Sequence, residues 1–294
     1  MPDQHIYRGR FAPSPTGPLH LGSVFTALAS YLQARSCNGK WLLRIDDLDT
    51  PRNIKGSVDS ILRTLDNLGL YWDESVAFQS QSIDYYHEIL DRLNKDKRIY
   101  PCRCSRKVQT TARYTGFCRD NQFNLDIPHA YRVKTDGSVI SFIDELQGSM
   151  IYPIDEQGDF VLKRKDQIIA YQFAVVVDDH LQMVNHVVRG YDLLDSTPRQ
   201  LYLQKLLGFK TPVYMHVPVI IDDAGYKLSK QTKALPVDLI KSNDVIFGVL
   251  LLLKQNPPNG LQRATVTALL DWAVAHWNPM ALKSCKAINN ECLT

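Results

Sequence analysis

The chain has 294 residues, of which 45% are hydrophobic and 22% are charged, with a formal net charge of +3. These values are typical of a folded globular protein with about two domains, and they exclude intrinsic disorder, collagen and mucin-like stalks. The longest uncharged apolar run, residues 245–253, covers nine positions. A membrane helix needs roughly 20, and residues 1–15 contain no apolar segment of a secretory signal. We therefore expect a cytoplasmic protein with no membrane partner.

The first 45 residues predict a β–α–β unit. Residues 6–11 are typical of a short strand, and a loop rich in proline and glycine follows at 12–18. Apolar residues then lie on one face of a helical repeat, at positions 21, 25, 28 and 32. Gly39 is well placed to end this helix, and the apolar run 41–45 predicts a buried parallel strand. Such a unit belongs to an α/β fold with a parallel sheet.

The rest of the chain continues this mixed pattern. Short apolar stretches predict strands over 129–176, 186–190 and 217–222. Helical periodicity predicts helices over 58–68, 86–93, 193–207, 236–254 and 262–277. The last 60 residues should therefore be all helical.

A basic, cysteine-containing stretch interrupts the pattern at residues 92–119. It contains nine lysines and arginines with a single acid, Asp96. Three of the chain's six cysteines lie there, at positions 102, 104 and 118. In a chain without an export signal this cluster favours a zinc site over disulfides, and reduced structural cysteines are the alternative. Its positive charge fits contact with a phosphate backbone or a solvated face.

The loop after the first strand is the first candidate site. Ligands bind at the carboxyl ends of parallel strands, and the helix that begins here offers its N-terminus to phosphate. His20 can donate to phosphate oxygens, and Gly22 lets a nucleotide approach the backbone. A proline-rich turn in which His20 caps the helix is the alternative.

The second candidate site is the segment KLSKQ at 227–231. Two lysines three residues apart in a loop can close over a triphosphate and stabilise developing charge. Alone, this motif is most often a solvated loop. Its order and separation from the early His20–Gly22 motif make the two together far more specific.

The two motifs resemble the HIGH and KMSKS signatures of class I aminoacyl-tRNA synthetases. Over about residues 6–235 the chain resembles the glutamyl-tRNA synthetase catalytic domain, in the segments RFAPSPTGPLHLG, LLRIDDLD, YQFAVVVDD, VVRGYDLLDSTPRQ and KLSKQ. Full synthetases continue with helical anticodon-binding domains, whereas only about 60 residues follow here. In this shorter length, in the segment RGYDLL and in Gln231, the chain resembles the short family of glutamyl-Q tRNA(Asp) synthetases.

The resemblance implies an α/β fold with a Rossmann-type parallel sheet, an inserted zinc-containing subdomain and a C-terminal helical subdomain. The implied halves of the catalytic domain are 1–100 and 186–235. The zinc insertion would occupy 101–128, a connective α/β part 129–185, and a stem-contact-like helical subdomain 236–294.

The implied reaction uses ATP, with Mg²⁺, to activate L-glutamate. The glutamyl group then passes to the cyclopentene diol of queuosine at the wobble position of tRNA(Asp). One alternative is a compact glutamyl-tRNA synthetase that charges the 3′ end of tRNA(Glu), against which the missing anticodon part argues. The other is a catalytically silent RNA-binding paralogue, against which intact His20, Lys227 and Lys230 argue.

The resemblance also implies site residues. Glutamate is assigned to Arg10, Phe11, Ala12, Pro13, Ser14, Asp46, Tyr171 and Arg189. ATP is assigned to His20, Gly22, Ser23 and Lys230, and the catalytic residues are His20, Lys227 and Lys230. Zinc is assigned to Cys102, Cys104, Tyr114 and Cys118. The alternatives are an Arg189–Asp192 salt bridge and a core role for Tyr114.

One position departs from the family pattern R-I-E-D, which reads Arg44-Ile45-Asp46-Asp47 here. Asp46 is one methylene shorter than the glutamate that would accept a hydrogen bond from the substrate's α-amino group. Either the substrate lies deeper or a water fills the gap. A chain that had changed its amino-acid substrate would show the same departure.

Overall fold

The predicted β–α–β unit is present at the start of the computed structural model, which describes residues 6–104, 114, 116–121, 126–222, 224–226 and 240–290. Strand β1 (Arg8–Phe11) pairs in parallel with β2 (Lys40–Ile45), and helix α1 (Leu21–Ser36) connects them. All four apolar positions of the predicted helix face are buried. A short strand, β3 (Ala77–Phe78), extends the sheet in parallel beyond β2.

Gly39 plays a different part from the one predicted. Helix α1 ends at Ser36, and Asn38 rather than Gly39 takes a left-handed backbone, with φ of 50°. The Gly39 amide still donates to the Ala34 carbonyl. A Cβ atom at Gly39 would lie only 2.5 Å from Cβ of Tyr7. Glycine is required here because the chain entering β1 passes so close.

A second sheet has the strand order β7–β6–β10–β9. Its strands are β6 (Val139–Asp144), β7 (Gly148–Pro153), β9 (His186–Gly190) and β10 (Val213–Val217). Strand β10 lies between β6 and β9 and is parallel to both, whereas β7 is antiparallel to β6. The Asn185 amide donates to the Arg8 carbonyl at 3.1 Å, which joins the start of β9 to β1.

A third sheet is antiparallel and consists of β4 (Ile99–Cys102), β5 (Ala130–Val133) and β8 (Val161–Lys163), with a one-turn helix α4 (Ile154–Gln157) before β8. The strand prediction for 129–176 is wrong in its last part, since Tyr171–Leu181 forms helix α5. Its residues 173–179 are all buried. A helix that is buried on every side has no polar face, so its sequence carries no helical period and resembles a buried strand.

The remaining predicted helices are present, although positions 236–239 of the helix predicted over 236–254 lie outside the described residues and the helix predicted from 193 begins as a 3-10 turn. They are α2 (Ser57–Asn67), α3 (Ile83–Lys95), α6 (Thr197–Leu207), α7 (Ser242–Leu252) and α8 (Val266–Ala275). One apolar cluster packs α1 against α7 and α8, and a second contains side chains of α3, α5 and α6. Within the described ranges, no helix combines the length and apolar character that crossing a membrane requires.

The C-terminal part is not all helical, which corrects that prediction. Strand β12 (Ala287–Asn289) pairs in parallel with β11 (Val219–Ile221). The predicted strand over 217–222 is split, because Pro218 has no N–H group with which to continue the ladder of β10. The chain therefore changes partner at Pro218 and pairs with its own C-terminal segment.

Candidate active site

A cavity of about 540 Å³ lies where the loops after β1, β2, β9 and β10 meet the first turns of α1 and α5. Its lining includes every described residue predicted to bind glutamate or ATP, namely Arg10, Phe11, Ala12, Pro13, Ser14, His20, Gly22, Ser23, Asp46, Tyr171 and Arg189. The carboxyl ends of these strands thus share one edge, as the α/β pattern predicts. Lys227 and Lys230 lie outside the described residues.

The loop after β1 is tied to the end of β2. The Pro13 carbonyl accepts the Asp46 amide at 3.0 Å, and the Pro15 carbonyl accepts the Ile54 amide at 2.9 Å. Gly17 has a φ of 127°, which L residues rarely adopt. The proline-rich sequence therefore forms a fixed wall of the cavity.

His20 both caps α1 and lines the cavity. Its Nδ1 atom accepts the Ser23 amide at 3.3 Å, so the capping interpretation is confirmed. Because Nδ1 is an acceptor, the proton of the neutral ring lies on Nε2, which is 3.2 Å from Ser23 Oγ. Gly22 and Ser23 of the first turn of α1 also line the cavity, and helix N-termini bind phosphate because their first N–H groups have no partner one turn earlier.

A buried charge cluster forms the wall beside β2. Arg44 is 1% exposed, and it donates from Nε to Asp46 at 2.8 Å and from Nη1 to Asp179 at 2.7 Å. Arg10 donates from Nε to the same Asp179 oxygen at 3.2 Å. Despite burial, the charges of Arg10 and Arg44 hold the pKa of Asp179 below its usual value.

Asp46 differs from Asp179 although both contact Arg44. Burial raises the pKa of Asp46, and the charge of Arg44 only partly opposes this. Its Oδ1 atom is used by Arg44, while Oδ2 accepts no hydrogen bond from the described part of the chain. A cationic group that entered the cavity here would favour the charged form.

The sequence reasoning missed Asp178, which supports this wall from behind. It accepts hydrogen bonds from Tyr86 at 2.5 Å and Gln79 at 2.7 Å. Burial raises its pKa to about 6, in spite of Arg44. The available signal was the pair of acidic residues that ends the apolar run YQFAVVVDD.

Arg189 forms the opposite wall and is 4% exposed. Its Nη1 atom donates to Gln200 at 2.7 Å and lies 3.4 Å from the Tyr171 hydroxyl. Its Nη2 atom donates to Thr197 at 2.8 Å, and its Nε atom donates to His216 at 3.0 Å. The sequence reasoning missed His216, which has no distinctive neighbours along the chain.

The predicted metal ligands are brought together at a separate place. The three sulfur atoms of Cys102, Cys104 and Cys118 lie within 4.8 Å of one another. The Tyr114 hydroxyl is 3.4 Å from Cys102 Sγ and 3.6 Å from Cys104 Sγ. Arg132 donates to Cys102 Sγ at 3.3 Å and stacks 4.0 Å from the Tyr114 ring centre.

Parallel strands with a cavity at their carboxyl edge, facing a helix N-terminus, are the arrangement of a nucleotide-binding α/β domain, and the family match assigns this domain to the class I tRNA synthetases. The family model for class I tRNA synthetases (E and Q), catalytic domain, matches residues 7–251. The glutamyl-Q tRNA(Asp) synthetase of Dechloromonas aromatica (strain RCB) is 45% identical over 282 residues, which are 92% of this chain and 94% of that protein. The chain belongs to the family of glutamyl-Q tRNA(Asp) synthetases, which are ligase-type enzymes.

Other relatives give the same result. The glutamyl-Q tRNA(Asp) synthetase of Methylococcus capsulatus is 47% identical over 276 residues, 92% of this chain and 91% of that protein. The crystal structure of a glutamate tRNA ligase from Elizabethkingia meningosepticum matches with a TM-score of 0.78, over 97% of this chain and 67% of that one. At 24% identity this second likeness shows the shared fold alone.

Proposed function

We propose that the chain activates L-glutamate with ATP and transfers the glutamyl group to queuosine in tRNA(Asp). The observation that carries the proposal is the set of charged groups that line one cavity. Its lining includes the guanidinium groups of Arg10 and Arg189, the carboxylate of Asp46 and the N-terminus of α1. Glutamate offers two carboxylates and one ammonium group, and ATP offers phosphates, so each ligand group has a partner of opposite charge.

The amino acid is proposed to lie between the two walls. Arg10 uses Nε for Asp179, and its two terminal nitrogens have no partner among the described residues. A guanidinium in this state can bind a carboxylate with two hydrogen bonds. Asp46 Oδ2 would accept from the ammonium group, and Tyr171 and Arg189 would close the other side. The shorter side chain of Asp46 supports the interpretation in which glutamate lies deeper, because Arg44 holds Asp46 at its position.

In the activation step an oxygen of the glutamate α-carboxylate attacks the α-phosphorus of ATP, and the bond to pyrophosphate breaks. Positioning and charge stabilisation supply most of such a reaction. His20, Gly22 and Ser23 are proposed to hold ATP at the N-terminus of α1, with Mg²⁺ on the phosphates. Lys227 and Lys230 are expected to stabilise the leaving pyrophosphate, a prediction that rests on the sequence.

In the transfer step a hydroxyl oxygen of the queuosine cis-diol attacks the glutamyl carbonyl carbon, and AMP leaves. The hydroxyl proton passes to a phosphate oxygen of the departing AMP. The basic side chains of 92–119 and the C-terminal helices are proposed to contact the RNA phosphates. In this proposal 101–128 is a zinc subdomain and 236–294 contacts the tRNA stem.

The donor set of the cysteine cluster fits Zn²⁺. Cys102, Cys104, Cys118 and Tyr114 would supply four ligand atoms, which makes a closed structural site. Three thiolates and a phenolate exceed the charge of the ion, and Arg132 beside them would offset part of that excess. When bound, the ion would hold the inserted segment together, and none of the reaction steps uses it.

Zinc binding is testable by metal analysis of the purified protein. We expect about one zinc per chain, and a large loss of zinc in Cys118→Ser. Tyr114→Phe should weaken zinc retention against a chelator more mildly, because three thiolates remain. Cys37→Ser is the control, since Cys37 lies on the surface far along the chain from the cluster. Full zinc content in Cys118→Ser would exclude the proposed site.

The function is tested by supplying labelled glutamate and ATP with purified tRNAs. The acceptors are tRNA(Asp) with queuosine, tRNA(Asp) with guanosine at the same position, and tRNA(Glu). We expect label only on the tRNA that carries queuosine. Label on tRNA(Glu) would indicate a compact glutamyl-tRNA synthetase. Pyrophosphate exchange with aspartate but not glutamate would show that Asp46 marks a changed substrate.

A further inference from the structure

We propose that His216, held by Asp144, is a positioning residue that fixes Arg189 in the amino-acid cavity. The inference deepens the proposed function and rests on it, because it assumes that Arg189 faces the amino-acid substrate. It concerns two residues outside the cavity lining that no motif of the sequence singles out.

The three side chains come from three neighbouring strands. Asp144 ends β6, His216 lies in the central strand β10, and Arg189 is its direct partner in β9. Their exposures are 1%, 0% and 4%. Parallel pairing thus aligns a carboxylate, an imidazole and a guanidinium across the sheet, next to the cavity edge.

The hydrogen bonds determine the tautomer of His216. Asp144 Oδ2 lies 2.6 Å from Nδ1, so Nδ1 carries the proton. Nε2 then has a free lone pair and accepts from Arg189 Nε at 3.0 Å. Thr197 Oγ1 lies 3.2 Å from the same Nε2 atom. Burial and the charges of Arg189 and Arg10 lower the pKa of His216 in spite of Asp144, which agrees with a neutral ring.

Asp144 is itself held in one orientation. Its Oδ1 atom accepts the amides of Leu146 at 3.1 Å and Gln147 at 2.9 Å, and Oδ2 accepts the His216 amide at 3.1 Å. Every oxygen of this carboxylate therefore faces N–H donors. Its orientation fixes that of the imidazole ring, and the ring fixes that of the guanidinium.

The imidazole has an advantage over a carboxylate bonded directly to Arg189. A neutral ring orients the guanidinium plane without cancelling its positive charge. The charge of Arg189 stays available for a substrate carboxylate, while the negative charge of Asp144 is kept one ring away. The other hydrogen-bond partners of Arg189 are also neutral, namely Gln200, Thr197, the Tyr171 hydroxyl and the Leu193 carbonyl.

The test compares two amide replacements of His216. His216→Asn places an amide near Nδ1 and keeps the bond to Asp144, but it removes the acceptor for Arg189. His216→Gln places an amide oxygen near Nε2 and keeps that acceptor. In ATP–pyrophosphate exchange, we expect His216→Asn to raise the KM for glutamate about 5- to 150-fold, the effect of leaving one buried donor unpaired. His216→Gln should recover most of this loss, and the KM for ATP should stay unchanged in both.

A second variant keeps the proposal testable if the His216 variants fail to fold. Asp144→Asn keeps the size of the side chain, but its NH2 group must face N–H donors or His216 Nδ1. Donating to Nδ1 moves the ring proton to Nε2, where it opposes Arg189 Nε–H. We expect the same selective rise in the glutamate KM with the KM for ATP unchanged, and the loss of one amide's acceptor should lower the free energy of unfolding by about 1–3 kcal/mol.

Two results would overturn the proposal. One is a glutamate KM in both His216→Asn and Asp144→Asn equal to that of the unmodified chain. The other is an equal loss in His216→Asn and His216→Gln with a matching rise in the KM for ATP, which indicates a general structural role. Failure of the proposed function is separate, because it shows in the unmodified chain as no exchange with glutamate.

Discussion

The two walls of the cavity hold their arginines in opposite ways. Beside β2, Arg44 makes direct ion pairs with Asp46 and Asp179, and Arg10 shares Asp179. Beside β9, the hydrogen bonds that Arg189 makes within the described ranges go to neutral groups, and the carboxylate of Asp144 reaches it through His216. On the first wall the arginine charges are offset by carboxylates, whereas the second wall keeps an oriented positive charge.

This difference indicates how glutamate would lie. On the β2 wall two guanidinium groups, Arg10 and Arg44, face three carboxylates at positions 46, 178 and 179, so the balance of charge favours an ammonium group. On the β9 wall the uncancelled charge of Arg189 favours a carboxylate. A cavity with these two ends selects a ligand that carries both groups at a fixed separation.

The largest expected effect comes from breaking the ion pairs of the first wall. Arg44→Met should destabilise the fold by about 3–5 kcal/mol, because it leaves buried carboxylates without their partner. Urea unfolding measures the change. Lys40→Ala is the control, since the Lys40–Glu74 pair is about 40% exposed on both sides and should cost about 0–1 kcal/mol. Similar decreases in the free energy of unfolding of both variants would show that the buried ion pairs stabilise the fold no more than an exposed pair does.

The next effect tests whether Arg10, which donates to Asp179, also binds the substrate. Arg10→Lys keeps a positive charge near Asp179 but loses the two terminal nitrogens of the fork. We expect kcat/KM for glutamate in pyrophosphate exchange to fall by about 2.7–4 kcal/mol, or roughly 10²- to 10³-fold. The KM for ATP should change little. Retained glutamate activation would mean that Arg10 serves only the charge cluster.

A pH experiment addresses Asp178. Its pKa rises from 3.8 in the unfolded chain to about 6 in the fold, through burial in spite of Arg44. The folded state then keeps a proton that the unfolded chain loses between about pH 4 and 6, so stability falls as pH rises through this window. Asp178→Asn removes this titration.

Unfolding of both proteins in urea at several pH values measures the effect. The free energy of unfolding of Asp178→Asn, relative to the unmodified chain, should increase by up to about 3 kcal/mol between pH 4 and 6 and then stay level. A difference that is independent of pH would contradict the raised pKa of Asp178.

The smallest expected effect concerns the end of the first wall that would bind the ammonium group. Asp46→Asn keeps the size of the side chain and a carbonyl oxygen for Arg44, but it removes the charge. We expect kcat/KM for glutamate to fall by about 1.5–3 kcal/mol, the range for a hydrogen bond to a charged group. Asp46→Glu restores the family pattern and serves as the comparison. Equal activity of Asp46→Asn and the unmodified chain would place the ammonium group elsewhere.

Local sequence patterns predicted much of the fold and of the candidate site. The strand, loop and helix around His20 are continuous in sequence, so their spacing predicts the unit. All eight residues assigned to glutamate line one cavity. The cysteines and Tyr114 lie within 17 residues, so their meeting needs only a short loop. Helix α5 was misread because complete burial removes the alternation between apolar and polar residues.

By itself, the amino-acid sequence determined the α/β class, the motif-bearing loops and the candidate ligands, because these depend on periodicity and short spacing. Only the tertiary structure decided that β12 pairs with β11, and that Asp144, His216 and Arg189 meet across three strands. Such partners are separated by tens of residues, and their contact follows from strand order and register. A buried charge acquires its partner, and hence its role, only when the sheet has formed.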